Sequence, residues 1–175
     1  PLKPEIISDI LLKKSFEYEN LVNCDRDTIL LLSEGSPGKA IDFLSNNGIN
    51  IFNICLDIID SSPQMDRHKI HKFLEKYFAG KNTHETFSFL NSVILTIIYR
   101  VALSSRNQSF VSANKVESSM HEKFADFSKI DILFASLYNH LSEILKYAEE
   151  VNLDPIQTSL NSFLKIESVI KQASN

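Results

Sequence analysis

The hydrophobic residues of this chain recur at spacings of three and four along most of its length, which is the spacing of one face of an α-helix. The pattern predicts helices over 4–14, 25–34, 36–45, 51–60, 63–79, 83–105 and 130–148, and a last helix that starts at Pro155. Only four glycines and five prolines interrupt the 175 residues. The predicted fold class is therefore all-α, with a small helical domain over 1–45 and a bundle of about five helices over 46–175.

Two segments of the larger domain depart from a simple one-faced pattern. The helix over 83–105 is apolar nearly all round, so we expect it to be buried at the centre of the bundle. The stretch over 104–119 is polar and rich in Ser and Asn, which predicts a mobile loop or a frayed connection. The core of the domain is thus expected to form around one helix.

Three short sequences are predicted to start or end helices. Ser62-Pro63 is expected to cap and open the helix over 63–79, because Ser is a good N-cap and Pro is tolerated in the first turn. Asn46-Asn47-Gly48 is expected to end the helix before it, since Asn and Gly can adopt a positive φ. Asp154 is expected to cap the last helix, with Gln157 as the reciprocal capping residue.

A tight corner between two helices is predicted at Gly35-Ser36-Pro37-Gly38-Lys39. Gly35 suits the left-handed position after a helix, and Ser36-Pro37 suits the start of the next one. The segment looks superficially like a phosphate-binding loop, G-x-x-x-x-G-K-[ST]. That loop would need glycine at Ser33 and a hydroxyl at Ala40, so two of its four defining positions fail. We therefore expect no nucleotide site here.

Charge and apolar run length exclude several classes of protein. The net charge is −4, and the first sixty residues carry five Lys or Arg against ten Asp or Glu. Strong DNA binding is not expected, because it needs a basic stripe. The longest apolar run, 93–99, is far too short to span a bilayer. Cys24 and Cys55 lack metal-ligand spacing and suit a reducing compartment. We expect a cytoplasmic protein without membrane contact.

The histidines suggest metal chemistry only weakly. His68, His71 and Glu75 share one helix face by spacing and could hold a metal. Lysines on the same face oppose a cation, so a solvated face is the favoured interpretation. Two H-E pairs, at 84–85 and 121–122, lack the second histidine of a zinc protease. No cofactor, metal or catalytic residue is predicted, and a helical metalloenzyme stays a distant alternative.

Two segments resemble a known family. The sequence EGSPGKAIDFL, over 34–44, is similar to the end of the lid domain in the delta-prime subunit of the bacterial DNA polymerase III clamp loader, an AAA+ relative. The segment 149–167 resembles the last helix junction of that subunit's collar domain. Asn152, Leu153, Asp154 and Pro155 form this junction and are the residues predicted to lie near a collar interface. The region over 46–126 matches no motif of the family.

The resemblance implies a fragment without enzymatic activity. In this family five AAA+-type subunits are held in a ring by their collars, and the ring loads the sliding clamp on DNA. Delta-prime has no ATPase activity of its own, and its partners are delta and the tau/gamma subunits. ATP-using relatives carry the pattern G-S-x-R-x-A-L in the lid corner, and its arginine senses the nucleotide phosphates. When Ala40-Ile41 is aligned with the final A-L pair, Gly38 stands at the position of the arginine and Lys39 is one position away. Because the chain begins at Pro1, we expect an AAA+ module to precede it. The alternative is a stand-alone helical protein-interaction domain unrelated to replication.

Overall fold

A computed structural model describes residues 24–80, 83–106 and 109–174, together with Ile6 and Asp9. Within these residues the chain forms eight helices and no strand: α1 (Cys24–Ser33), α2 (Pro37–Ser45), α3 (Gly48–Asp60), α4 (Arg67–Phe78), α5 (Thr83–Ser104), α6 (Lys115–Ala125), α7 (Ile130–Glu150) and α8 (Pro155–Ala173). The predicted all-α fold class is confirmed. The helix predicted over 4–14 lies outside the described residues, except for helical backbone at Ile6 and Asp9.

The chain divides into two compact units, residues 1–53 and 54–175, and the division falls inside α3. In the first unit α1 packs against α2. Ile29 and Leu32 of α1 are buried, as are Ala40 and Phe43 of α2. These residues recur at spacings of three, so each helix has one apolar face. The lid and collar division predicted at 45/46 remains a prediction.

Helix α5 forms the core of the second unit. It packs along α7, and it also contacts α4 and α8, while α8 packs on both α4 and α7. The buried apolar residues of α5 lie on more than one face: Phe87, Phe89, Leu90, Val93, Ile94, Ile97, Ile98 and Val101. The expectation of a central, buried helix is confirmed. In length and composition α5 could also cross a membrane, but two thirds of its most apolar window is buried inside the fold, as in the core helix of a soluble protein.

The helix start predicted at Ser62-Pro63 is wrong. Helix α4 begins at Arg67, and its N-cap is Asp66, whose carboxylate accepts the N–H groups of His68 and Lys69 at 2.9 and 3.1 Å. These hydrogen bonds, that of Lys69 first, hold the pKa of Asp66 below its usual value. Ser62 precedes a cis proline instead, and its side chain is buried. Asp66, four residues downstream of Ser62, is the cap instead, because its carboxylate satisfies two orphan N–H groups.

The connection between α3 and α4 is held by charged residues from distant helices. Lys123 of α6 donates hydrogen bonds to the carbonyl oxygens of Asp60 and Ser62. Glu167 of α8, which is buried, accepts the N–H of Met65 at 2.9 Å. Burial opposes its charged form, yet the Met65 N–H and the nearby Lys171 ammonium leave the pKa of Glu167 lowered. Long-range contacts therefore fix the connection that leads into the Asp66 cap.

The prediction of a loop over 104–119 is wrong for its last five residues. Helix α6 begins at Lys115, and Asn114 caps it by accepting the N–H of Glu117 at 2.8 Å. The sequence pattern missed α6 because its buried apolar positions are sparse: Met120 and Phe124 are the apolar residues it buries. The unit therefore has one helix more than the sequence predicted.

The predicted helix stop at Asn46-Asn47-Gly48 is confirmed for the asparagines but not for the glycine. Helix α2 ends at Ser45, and Asn47 adopts a positive φ of 53°. Gly48 instead opens α3, and a Cβ there would lie 2.6 Å from Cδ1 of Phe43 and 2.7 Å from its Cα. This glycine is required by the close approach of two helices rather than by its backbone conformation.

Candidate functional site

The corner between α1 and α2 has the backbone that its sequence predicts. Glu34 and Gly35 take left-handed conformations with φ of 51° and 82°. Ser36 is extended and acts as the N-cap, with its hydroxyl oxygen 3.4 Å from the N–H of Lys39, and Pro37 is the first residue of α2. The chain therefore reverses between two helices within three residues.

The corner does not present a free cation. The Lys39 ammonium lies 3.1 Å from a carboxylate oxygen of Glu34, so its charge is paired within the corner. Gly38 carries no side chain, and a Cβ at this position would meet nothing within 4 Å. Phosphate recognition of the sensor type requires an arginine or lysine that points away from local carboxylates. Residues 34–39 as described do not supply one.

The junction between α7 and α8 is a Schellman corner. Asn152 is left-handed, with φ of 53°, and its N–H lies 3.4 Å from the carbonyl oxygen of Glu149. The N–H of Leu153 donates to the carbonyl oxygen of Ala148 at 3.0 Å, and the two bonds together close the end of α7. The last orphan carbonyls of α7 are thus satisfied by the corner itself.

The start of α8 confirms the predicted cap but not the reciprocal capping residue. The Asp154 carboxylate accepts the N–H of Gln157 at 2.6 Å, and Pro155 is the first helical residue. The amide of Gln157 donates to Asn161 at 3.3 Å rather than back to the cap. The Gln157 side chain, which a capping box would use, is therefore hydrogen-bonded to its i,i+4 neighbour Asn161 on the same helix face.

The predicted interface residues line an open groove of about 430 Å³. Its walls are the junction itself and the first turns of α5: Thr83, His84, Phe87, Ala148, Glu149, Asn152, Leu153, Asp154 and Pro155. Leu153 is 47% exposed, which is high for a leucine beside a pocket. The groove combines an apolar floor, formed by Phe87 and Ala148, with two carboxylates, Glu149 and Asp154. Such a surface suits an amphipathic segment of another chain better than a small anion.

A buried asparagine orients one of these carboxylates. The Nδ2 group of Asn91, which is 3% exposed, donates to Oε1 of Glu149 at 2.8 Å. The Oδ1 atom of Asn91 is buried and has no hydrogen-bond partner among the described residues. Holding Glu149 at the groove therefore leaves one polar atom unsatisfied, which costs stability. No sequence pattern predicts this pair, because its members lie 58 positions apart.

The face that could have held a metal is open to solvent. His68, His71 and Glu75 are all exposed on α4, with Nδ1 of His71 3.5 Å from a Glu75 oxygen. Among the residues that the structure describes, no three His, Cys, Asp or Glu side chains gather closely enough to hold a metal ion. A surface ion pair of this kind contributes little to binding or stability.

Sequence reasoning missed a buried polar cluster at the end of α5, which we call the Arg100 cluster: Arg100, Phe110, Val111, Ala113, Glu117 and His121. Nε and Nη2 of Arg100 lie 2.6 and 2.9 Å from the two oxygens of Glu117, forming a bidentate pair. Both side chains are at least 96% buried. Nη2 of Arg100 also donates to the carbonyl of Val111 at 2.8 Å, and Glu117 accepts the N–H of Ala113 at 2.6 Å.

One signal could have revealed this cluster. Arg100 stands directly after the longest apolar run, on a helix whose other faces are buried. A guanidinium in such a position must have a carboxylate partner, because an unpaired buried charge is very costly. The polar stretch that follows supplies that partner at Glu117. The Ser- and Asn-rich composition instead favoured a loop.

Comparison with protein-family models, curated proteins and solved structures gives no match for this chain.

Proposed function

We propose that this chain is a non-catalytic subunit fragment of a DNA polymerase III clamp loader, the lid-plus-collar part of a subunit similar to delta-prime. It binds the delta and tau/gamma subunits through its collar and so supports loading of the sliding clamp in replication. The proposal rests on one observation: two family-like helix corners, 34–44 and 149–167, occur in the family's order on an all-helical chain. Contact with DNA would be weak or indirect, and the protein would act in the cytoplasm.

The lid corner supports a role without ATP hydrolysis. Gly38 stands where ATP-using relatives carry the sensing arginine, and Lys39 is paired with Glu34. Residues 34–39 therefore offer one lysine, already paired, in place of the planar, bidentate guanidinium that recognises a phosphate. The geometry of the corner at 34–39 suits a structural element that does not respond to nucleotide.

The groove at the junction supports a role in assembly. It lies on the predicted collar, and Leu153 at its edge is about half exposed. The binding energy of a protein interface is concentrated in a few well-packed residues, and the contacts around them exclude water. Leu153 is a large, exposed apolar side chain at this groove, between the carboxylates of Glu149 and Asp154, so its replacement tests the proposal most directly.

The test is native mass spectrometry of the chain mixed with delta and tau/gamma from the same organism, without nucleotide. We expect a stoichiometric complex. Leu153→Asp should weaken it by about tenfold or more, the loss expected for an interface anchor. Ile132→Asp is the matched control, because Ile132 is 56% exposed on α7 and does not line the groove.

Each outcome separates the proposal from its alternatives. A complex that Leu153→Asp weakens and Ile132→Asp leaves intact supports assembly through the groove. A complex unaffected by either variant keeps the clamp-loader role and moves the interface elsewhere. A chain that stays alone in every mixture overturns the proposal and favours the stand-alone interaction domain.

A further inference from the structure

The segment 109–114, between α5 and α6, is fastened by the Arg100 cluster. Arg100 holds the carbonyl of Val111, and Glu117 holds the N–H of Ala113, so a single ion pair binds both a backbone acceptor and a backbone donor of the segment. The Arg100 guanidinium also lies 4.7 Å from the centre of the Phe110 ring. The segment is thereby fixed by three contacts with two side chains.

His121 closes this arrangement from the side of α6. Its ring meets the Phe110 ring edge-on, with centroids 4.8 Å apart, so Phe110 contacts both His121 and Arg100. The His121 side chain is only 10% exposed, and neither ring nitrogen has a hydrogen-bond partner among the described residues. A buried imidazole with two unsatisfied nitrogens is uncommon, because buried polar groups are normally hydrogen-bonded.

We propose that His121 and Phe110 form a pH-sensitive latch, in which protonation of the buried imidazole releases the segment 109–114 from the Arg100 cluster. The closed latch requires neutral His121, whose ring packs on Phe110 as an apolar surface. A protonated ring carries two N–H donors that the closed site does not satisfy. Swinging outward gives them water as a partner and removes the side support of Phe110.

Burial is the main influence on the pKa of His121, and the two charges beside it act in opposite directions. Burial lowers the pKa of His121, the Glu117 carboxylate raises it, and the Arg100 guanidinium lowers it. In the closed site Glu117 does not hydrogen-bond the ring, because its Oε1 lies 3.9 Å from Nε2 of His121, and its charge is already paired with Arg100. The closed site therefore favours the neutral His121 ring, and protonation at low pH opposes the closed state.

The sign of the pH dependence follows by linkage. Once the latch opens, His121 is solvated and titrates near its ordinary value of about 6.5, whereas in the closed state its pKa is lower. Protons are therefore bound more readily by the open state. The closed state has its full advantage above pH 6.5 and loses it as the pH falls through the range below that value.

The amide of Ala113 reports the state of the latch, since its hydrogen bond to Glu117 breaks when the segment is released. We expect its protection factor in amide hydrogen exchange, corrected for the intrinsic exchange rate, to fall by about three- to tenfold between pH 7.5 and pH 5.5. The amide of Asn46, hydrogen-bonded to Asp42 in a unit without histidine, is the internal control and should not change.

Two variants separate the effect of His121 from that of the other histidines. His121→Phe keeps an apolar ring against Phe110 and cannot be protonated, so the fall in Ala113 protection should disappear. His71→Gln removes an exposed histidine on α4 and should leave the fall intact. If His121→Phe does not fold, the same question is answered in the unmodified chain by NMR titration of the His121 ring.

Two results would overturn the latch. One is Ala113 protection that does not change between the two pH values, or that falls equally in His121→Phe. The other is a His121 ring that titrates at or above the ordinary histidine value in the folded chain. Neither result bears on the proposed clamp-loader role, because the latch is argued from the Arg100 cluster alone.

Discussion

The short corners and the long connection of this chain are built in different ways. At Glu34-Gly35 and at Asn152 the chain reverses in a few residues, using a left-handed residue, an N-cap and a proline that are adjacent in sequence. The connection from α5 to α6 instead depends on Arg100 and Glu117, which lie 17 positions apart and on different helices. Local rules describe the first kind of connection, and long-range charge pairing describes the second.

The difference predicts where mutations will be costly. In a short corner each contact satisfies one or two orphan backbone groups near solvent, so its loss is partly replaced by water. In the Arg100 cluster a single substitution leaves a buried charge without a partner, and water cannot reach it. The following four predictions test this contrast, in order of decreasing expected effect.

Glu117→Gln should have the largest effect, lowering the free energy of unfolding by about 3–5 kcal/mol, because it leaves the Arg100 charge buried and unpaired. Urea unfolding followed by circular dichroism measures the change. Glu122→Gln, on the exposed face of the same helix, is the control and should change stability by less than about 0.5 kcal/mol. The double variant Arg100→Met/Glu117→Leu should recover part of the loss, because no charge stays buried, although the Val111 carbonyl and the Ala113 N–H lose their partners. A loss below about 1 kcal/mol in Glu117→Gln itself would contradict the prediction.

Gly48→Ala comes next, with an expected loss of about 1–3 kcal/mol, because the added methyl would overlap Phe43 at 2.6 Å. Gly38→Ala is the matched control in α2. Nothing lies within 4 Å of a Cβ at that position, so the change should be neutral or stabilise by about 0.4–1 kcal/mol. Thermal unfolding of both variants measures the difference; equal effects would contradict the close-approach argument.

Asp154→Ala should cost about 1 kcal/mol through loss of the cap at the start of α8. Gln157→Ala should cost much less, because the Gln157 side chain contacts Asn161 and does not complete a capping box. The pair distinguishes a single cap from a reciprocal one. Comparable losses in the two variants would mean that the capping box forms in solution.

Lys39→Ala should have the smallest effect, below about 1 kcal/mol, because its pair with Glu34 is partly exposed. Raising the salt concentration should reduce the difference from the unmodified chain further, since screening weakens exposed ion pairs. A loss above about 2 kcal/mol would show that the corner is held by this charge rather than by its backbone.

Apolar periodicity and the residues that start or end helices predicted most of the helices. Helix α5 was predicted as a buried core helix because its apolar residues cover every face, and the ends of α1 and α2 were marked by residues that tolerate a positive φ. The two wrong predictions have the same cause: a conspicuous local pattern was preferred to a nearby cap. Ser62-Pro63 and the stretch over 104–119 contain strong local signals, but Asp66 and Asn114 provide the caps that the fold uses.

The candidate site divides in the same way. The sequence identified Asn152-Leu153-Asp154-Pro155 as a junction, yet the groove also needs Thr83, His84 and Phe87, which only tertiary packing brings there. The Asn91 contact with Glu149 is of the same kind. A motif therefore located one wall of the groove, while the opposite wall depended on how α5 lies against α7.

Apolar spacing and backbone preferences within a few residues are enough to predict the all-helical class, the central position of α5, the turn at Gly35 and the caps Ser36 and Asp154. The pairing of Arg100 with Glu117, the burial of His121 against Phe110 and the helix α6 emerge from the packed fold. The two groups differ in the separation along the chain of the residues that interact. Capping and periodicity act between near neighbours in the chain, whereas buried charge pairs and ring contacts depend on which distant residues the packed core brings together.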